Sequence, residues 1–279
     1  MAREQITEEE EDELDRDADE ADGKEAKAGR RRGSYSRYDK GPRLTQRDIA
    51  CLLWIAQMYA IRFDQLRRLL FRLSPEAHKI SAANVEAGMI SKERGYKLVK
   101  KWLDLGLIEV GNPLDKERRW IWLTPYGLQV ARLTVRYRRL KHTRIPHTYY
   151  VNLVRLWVEM KRPQDVWVSE RELAKRFRPL KKGEHQDHLP DGELHAANGK
   201  TTVIEVELRS KDPDRLEGIL RDLATHYTSI WYFLSQETRS NFEEVLARLE
   251  PEIQRYIVTY DLSRLRAELG VTSYDYDIT

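Results

Sequence analysis

Apolar and polar positions along this chain repeat first with a helical period and later with a period of two. Thr45-Gln46-Arg47-Asp48 has the form of a helix N-cap with an acid three residues on. Ile49, Leu52, Leu53, Ile55 and Ala56 then recur on one face, which predicts a helix to about Ala60. A break at Ile61-Arg62 precedes a second helix over residues 63–73, and residues 74–90 read as a longer connection. Ser91 caps a third helix to about Asp104, with Leu98, Val99, Trp102 and Leu103 on its buried stripe and Gly106 as its stop. Residues 107–110 and 120–123 read as strands on either side of a polar turn at 111–119. Thr124-Pro125 opens a closing helix expected to reach about Leu140.

The second half begins with a helix over residues 147–160, in which Val151, Leu153, Val154, Trp157 and Val158 are apolar. A short strand at 166–168 and a helical turn around Leu173 follow. Residues 201–208 alternate strictly: Ile204, Val206 and Leu208 point one way, and Glu205, Glu207 and Arg209 the other, the signature of a strand. Helices at 212–227 and 237–249 then interleave with strands at 230–234 and 256–260. Strands alternating with helices predict an α/β sheet with crossover connections. The expected fold class is therefore mixed α/β. A helical module spans residues 44–140, an α/β domain 147–262, and a loose tail 263–279. No internal repeat is visible.

Charge changes the picture at the N-terminus. The formal net charge is only +3, yet residues 1–29 carry 13 acids and four bases, leaving 45 bases against 33 acids over the remaining chain. The acidic stretch has no aromatic residue and is expected to be disordered. The run Arg30-Arg31-Arg32-Gly33-Ser34-Tyr35 reverses the sign and reads as a basic arm, so that residues 1–43 precede the ordered part. A body this basic favours polyanionic partners.

The single Cys51, within an apolar run, excludes an internal disulfide and a cysteine-based zinc site and reads as core. His185 and His188 alone do not make a zinc site. No apolar run reaches the ~18 residues of a membrane span, and no signal peptide is evident, so no membrane partner and a cytoplasmic setting are expected.

Candidate chemistry falls in two places. The third helix carries Lys92, Arg94, Lys97, Lys100 and Lys101, and the polar turn carries Lys116, Arg118 and Arg119. Three helices, a two-stranded hairpin and a closing helix read as a winged helix-turn-helix. Its third helix would enter the major groove of double-stranded DNA, with Ser91, Lys92, Arg94, Gly95 and Lys97 nearest the bases and the remaining cations suited to phosphates. The bland alternative is a protein-interaction scaffold. The second place is the acid cluster. Glu205 and Glu207 share a strand face, and Asp191 in Pro190-Asp191-Gly192 precedes it; Glu170 is a further acid. Such oxygen-rich groups hold hard divalent ions. The alternative is a salt-bridged strand face, and His188, Arg209 and Lys211 lie near in sequence.

The order of these elements resembles the PD-(D/E)xK nuclease superfamily. There an Asp after Pro and a carboxylate on a central strand hold Mg²⁺, with a lysine two residues beyond. Asp191 and Glu205 match; Glu207 stands in the lysine's place. The whole arrangement over residues 44–262 more closely resembles the replication-relaxation family of bacterial plasmids and integrative elements. The matching residues are the winged helix, His147 with Asn152, Trp167-x-x-Glu170, Pro190-Asp191-Gly192 and Ile204-Glu205-Val206-Glu207. The resemblance implies a DNA-binding protein of a plasmid or other mobile element. It would act in replication, relaxation or transfer, with a replication or relaxase protein as partner. Two alternatives stay open: a Mg²⁺-dependent endonuclease or nickase, with Glu170, Asp191, Glu205 and Glu207 as catalytic acids, and a transcription regulator whose C-terminal domain dimerises.

Overall fold

The computed structural model describes residues 43–74, 82–113, 119–138, 141–175 and 188–271. The acidic stretch and basic arm, His185, Lys116 and Arg118 lie outside them. The first helix, α1 (Gln46–Gln57), starts as its N-cap predicts. Thr45 Oγ1 accepts from Asp48 N at 3.2 Å and Asp48 Oδ2 from Thr45 N at 2.7 Å, a reciprocal box that satisfies two otherwise orphaned amides. After it come β1 (Ala60–Arg62), α2 (Phe63–Arg72), the short α3 (Ala82–Glu86) and α4 (Lys92–Asp104). The hairpin β2 (Ile108–Gly111) and β3 (Trp120–Leu123) follows, then α5 (Pro125–Val130). Gly106 ends α4 at a φ of +66°, in the left-handed region that side chains avoid, and lets Leu107 N reach back to Trp102 O at 2.9 Å. These strands form an antiparallel sheet of order β1-β3-β2.

A long helix, α6 (Ile145–Lys161), is buried almost all round, as a helix between two layers must be. It packs against α2 and β1 on one side and β6 and α11 on the other. The remaining elements are β4 (Val166–Ser169), α7 (Glu170–Leu173), β5 (Gly192–His195), β6 (Thr201–Glu207), α8 (Pro213–His226), β7 (Ile230–Leu234), α9 (Gln236–Leu246), α10 (Pro251–Gln254), β8 (Ile257–Asp261) and α11 (Leu262–Glu268). They build a five-stranded sheet in chain order, antiparallel through β4-β5-β6 and parallel through β6-β7-β8. One face, with Trp167, Leu194, Ile204, Val206 and Phe233, shares a continuous core with α1, α2 and α6. The other, with Val203, Ile230, Tyr232 and Leu234, packs against Leu216, Leu220 and Leu223 of α8 and Phe242 and Val245 of α9. The fold is mixed α/β, as the periodicities predict.

Several expectations need correcting. The break at Ile61-Arg62 is a strand: β1 pairs with β3, and all three of its residues are buried. The closing helix stops at Val130, ten residues short of Leu140, because Arg132 takes a φ of +57° and Leu133 N turns back to Leu128 O. Leu103 is not in the buried stripe; it is 42% exposed, and Trp102 fills the core beside it. Asp191 directly precedes a strand the sequence reading did not mark, β5. Residues 263–268 of the expected tail belong to α11, whose Leu262 and Leu265 join the core, with Asp261 Oδ1 accepting from Ser263 N at 2.7 Å as its cap.

Candidate functional site

In a parallel-stranded region, chemistry gathers where the strands end at their carboxyl termini. At that end of β6, the alternation seen in sequence sets Glu205 and Glu207 on one face, 5% and 6% exposed. The β5–β6 register pairs Gly192 with Ile204, so its continuation by one residue places Asp191 across from Glu205. Gly192 makes this possible: the Trp167 indole lies over it, and an added Cβ would come within 2.5 Å of Trp167 Cζ2.

Each acid has a cationic partner. Asp191 Oδ2 accepts from Val206 N at 2.8 Å and lies 3.3 Å from His147 Nε2, supplied by the first turns of α6. Glu205 Oε1 is 2.9 Å from His188 Nε2. Glu207 pairs with Lys211, one turn beyond the strand. Glu170, the first residue of α7, is 3.0 Å from Arg144 Nη2. A cleft joins Asp191, His147, Arg144 and Glu170 to Tyr59, whose backbone sits at a φ of +64° between α1 and β1. The Tyr59 ring is approached by the guanidiniums of Arg171 at 4.5 Å and Arg144 at 5.6 Å.

Titration separates the acids. Burial opposes charge at Asp191, but His147, the Val206 amide and His188 together hold the carboxyl below its ordinary value. At Glu205 and Glu207 burial wins, and both are pushed up in spite of His188 and Lys211. The bases respond in kind. Burial disfavours charge on His147, His188 and Lys211, yet Asp191, Glu205 and Glu207 respectively raise all three. One site thus holds a readily ionised acid beside two that take up protons more readily.

Depth orders the groups as well. The side chains of Asp191, Glu205 and Glu207 are 7–12% exposed, whereas Lys211, His188, His147 and Arg144 are 20–41% exposed. The acids form a floor and the basic groups a rim. Oxygen donors from neighbouring strands have the chemistry a hard cation takes. Among the described residues, no group of three or more His, Cys, Asp and Glu side chains is placed to hold one ion.

The structure brings Asp191, Glu205 and Glu207 together and puts Glu170, paired with Arg144, in the adjoining cleft that Asp191 also lines. Arg209 is exposed and outside the pairs. His147 and Arg144 were not among the sequence-derived site residues. His147 had a signal, a histidine opening a helix, but only the fold shows that this helix end abuts Asp191. Asn152 proves structural: its Nδ2 donates to Ala60 O at 2.9 Å, fastening α6 to β1.

On α4, Lys92, Arg94, Lys97 and Lys100 are exposed and Ser91 is the N-cap, accepting from Arg94 N. Lys97–Glu93 and Lys100–Asp104 are surface pairs one turn apart, the kind that exchanges readily for other partners. Lys101 differs. Its ammonium lies 2.7 Å from the buried Asp48 and also donates to Arg43 O, so it ties α4 to the start of α1. Gly95 is buried against Phe63 and presents nothing to a ligand, while Tyr96 stacks on Phe63 with ring centroids 4.3 Å apart. Arg119, at the turn end of the hairpin just before β3, is exposed. No helix among the described residues is long and apolar enough to cross a membrane. Set against known proteins, the sequence matches no protein-family model and no curated protein.

Proposed function

We propose that this chain is a DNA-binding protein of a plasmid or other mobile element, acting in replication, relaxation or transfer. Residues 44–138 are read as a winged helix-turn-helix, with α4 as the helix that enters the major groove, and the five-stranded sheet as a nuclease-like domain. The observation that carries the reading is the outward face of α4. Lys92, Arg94, Lys97 and Lys100 are all exposed on a helix whose other face is locked by Val99 and Trp102. The setting in a mobile element rests on the replication-relaxation resemblance, and the cationic rim over the acid floor is where the sugar–phosphate chain would lie.

Arg94→Ala and Lys97→Ala are each expected to weaken duplex binding. If Arg94 contacts a base edge, its loss should cost about 1–3 kcal/mol and broaden sequence choice. Titration of each variant against specific and random duplexes measures this. Wild-type affinity in both variants would remove α4 from the interface.

A second reading is a metal-dependent endonuclease or nickase. It is favoured by Asp191 standing across from Glu205 with the Lys211 ammonium close enough to act on all three acids. Asp191 and Glu205 would hold a Mg²⁺ ion, which when bound polarises a phosphate and acidifies a water. His188 is placed to orient Glu205 or to move a proton at its Nε2. Supercoiled plasmid incubated with the protein and Mg²⁺ or Mn²⁺ should then be nicked, and Glu205→Ala should reduce nicking by at least a hundredfold. Intact plasmid with either metal sinks the second reading and leaves the first.

A further inference from the structure

The amino ends of β6, β7 and β8 hold a second cleft, of about 360 Å³, at the end of the sheet remote from Glu207. Its floor has an aromatic and apolar side. On the edge strand Val258 and Tyr260 share a face, and Tyr256, in the turn just before β8, also lines the cleft. Val258 is 43% exposed there, and its register partner on β7 is Trp231. The floor also has hydroxyls: Thr202 Oγ1 donates to Ser229 Oγ at 3.0 Å. The rim is cationic. Lys200, Arg162 and Arg255 are exposed around it, against one acid, Asp165, which is 3.4 Å from Arg162. The Arg162 guanidinium lies over the Trp231 ring at 4.8 Å and that of Arg255 over Tyr256 at 5.2 Å.

This combination selects among ligand classes. A purely apolar ligand has no use for three cations, and a bare phosphate has none for an aromatic stripe. Flat rings strung on a phosphate chain use both: bases stack on aromatic and apolar faces while Lys and Arg track the backbone. Spacing favours a strand over a single nucleotide. Lys200 immediately precedes β6 and Arg255 comes just before β8, two strands away in the sheet, which is about 10 Å. Exposed cations on backbones that far apart suit successive phosphates of a strand, and competition by a mononucleotide tests whether a single phosphate bridges them instead.

We propose that this cleft binds single-stranded DNA, with a base against the exposed Val258 and the neighbouring Tyr256 and phosphates on Lys200 and Arg255. The inference uses no residue of α4 or of the acid floor. It adds a contact for an unpaired strand to a protein already read as gripping duplex.

The test is fluorescence anisotropy of the full chain with a labelled oligothymidylate of about twelve nucleotides, over a range of salt concentrations. The double variant Lys200→Glu/Arg255→Glu should bind it at least tenfold more weakly. The slope of log K against log salt should shrink by about 1.4, near 0.7 for each lost phosphate contact. Duplex binding and the thermal midpoint should be unchanged, since both side chains are exposed. Thymidine monophosphate should fail to displace the oligonucleotide at equal nucleotide concentration. Oligonucleotide affinity within twofold of wild type, with the same salt slope, overturns the proposal. So does full displacement by the mononucleotide, which would make the cleft a nucleotide pocket. Because the α4 variants are scored on duplex and this variant on single strands, failure of one leaves the other standing.

Discussion

Replacing Arg62 with alanine is expected to cost about 3–5 kcal/mol of folding stability, because it strands a buried carboxylate. Arg62 is 1% exposed and Asp64 8%. The guanidinium holds Asp64 through two bonds, Nε to Oδ1 at 2.6 Å and Nη2 to Oδ2 at 2.8 Å, and donates to Tyr149 Oη at 2.9 Å. Beside it, Gln65 Nε2 donates to Tyr149 O at 2.8 Å. This network joins β1 and α2 to α6, so its loss loosens the packing of the helical module on the rest of the chain. For a chain of this size the midpoint should fall by roughly 6–20 °C. Arg62→Leu/Asp64→Leu removes both charges and should recover most of the loss, since apolar replacement of a buried pair is often neutral. Denaturant titration of the two variants measures this. A single-variant cost below about 1 kcal/mol would show that water reaches Asp64 and that the network does not hold the layers together.

Gly192→Ala is expected to damage the acid site as well as the fold. The new methyl would lie 2.5 Å from Trp167 Cζ2 and 2.9 Å from Cε2, well inside van der Waals contact. Trp167 is 4% exposed and cannot swing aside, so β5 must shift instead. Overpacking of this kind costs about 1–3 kcal/mol. Asp191 precedes the glycine directly, and its hold on Val206 N and His147 should weaken with it. Trp167→Phe in the same chain vacates the space, and the double variant should be less destabilised than the two single costs added together. The His147 and His188 ring signals in an NMR titration report the site separately from stability. Strict additivity, with unmoved histidine signals, would show that the indole does not constrain β5.

Much of the fold was legible from periodicity. The capping box at Thr45, the stop at Gly106 and the alternation through Glu205 and Glu207 are local patterns, and each sits where local physics puts it. The misses share a cause: they are elements defined by partners distant in sequence. Ala60-Ile61-Arg62 is too short to show a period, and only pairing with β3 makes it a strand. Gly192-Glu193-Leu194-His195 looks polar because Glu193 is buried by accepting from Tyr227 Oη at 2.6 Å and lying 2.6 Å from His195 Nε2, contacts no local window contains. Residues 262–268 were within reach, since Leu262, Leu265 and Leu269 recur at helical spacing behind a capping Asp261.

The candidate site divides in the same way. That Glu205 and Glu207 share a face follows from the two-residue repeat alone, and that α4 carries a row of cations follows from its composition and period. Whether those cations face outward was decided by packing, which left Lys92, Arg94, Lys97 and Lys100 in solvent and drew Lys101 onto Asp48. Setting Asp191 opposite Glu205, bringing His147 and His188 to the acids and seating the acids beneath the cations all required strands and helices far apart in the chain to meet. Register and burial are properties of the assembled sheet, and a carboxylate's partners, and hence its charge, are set there.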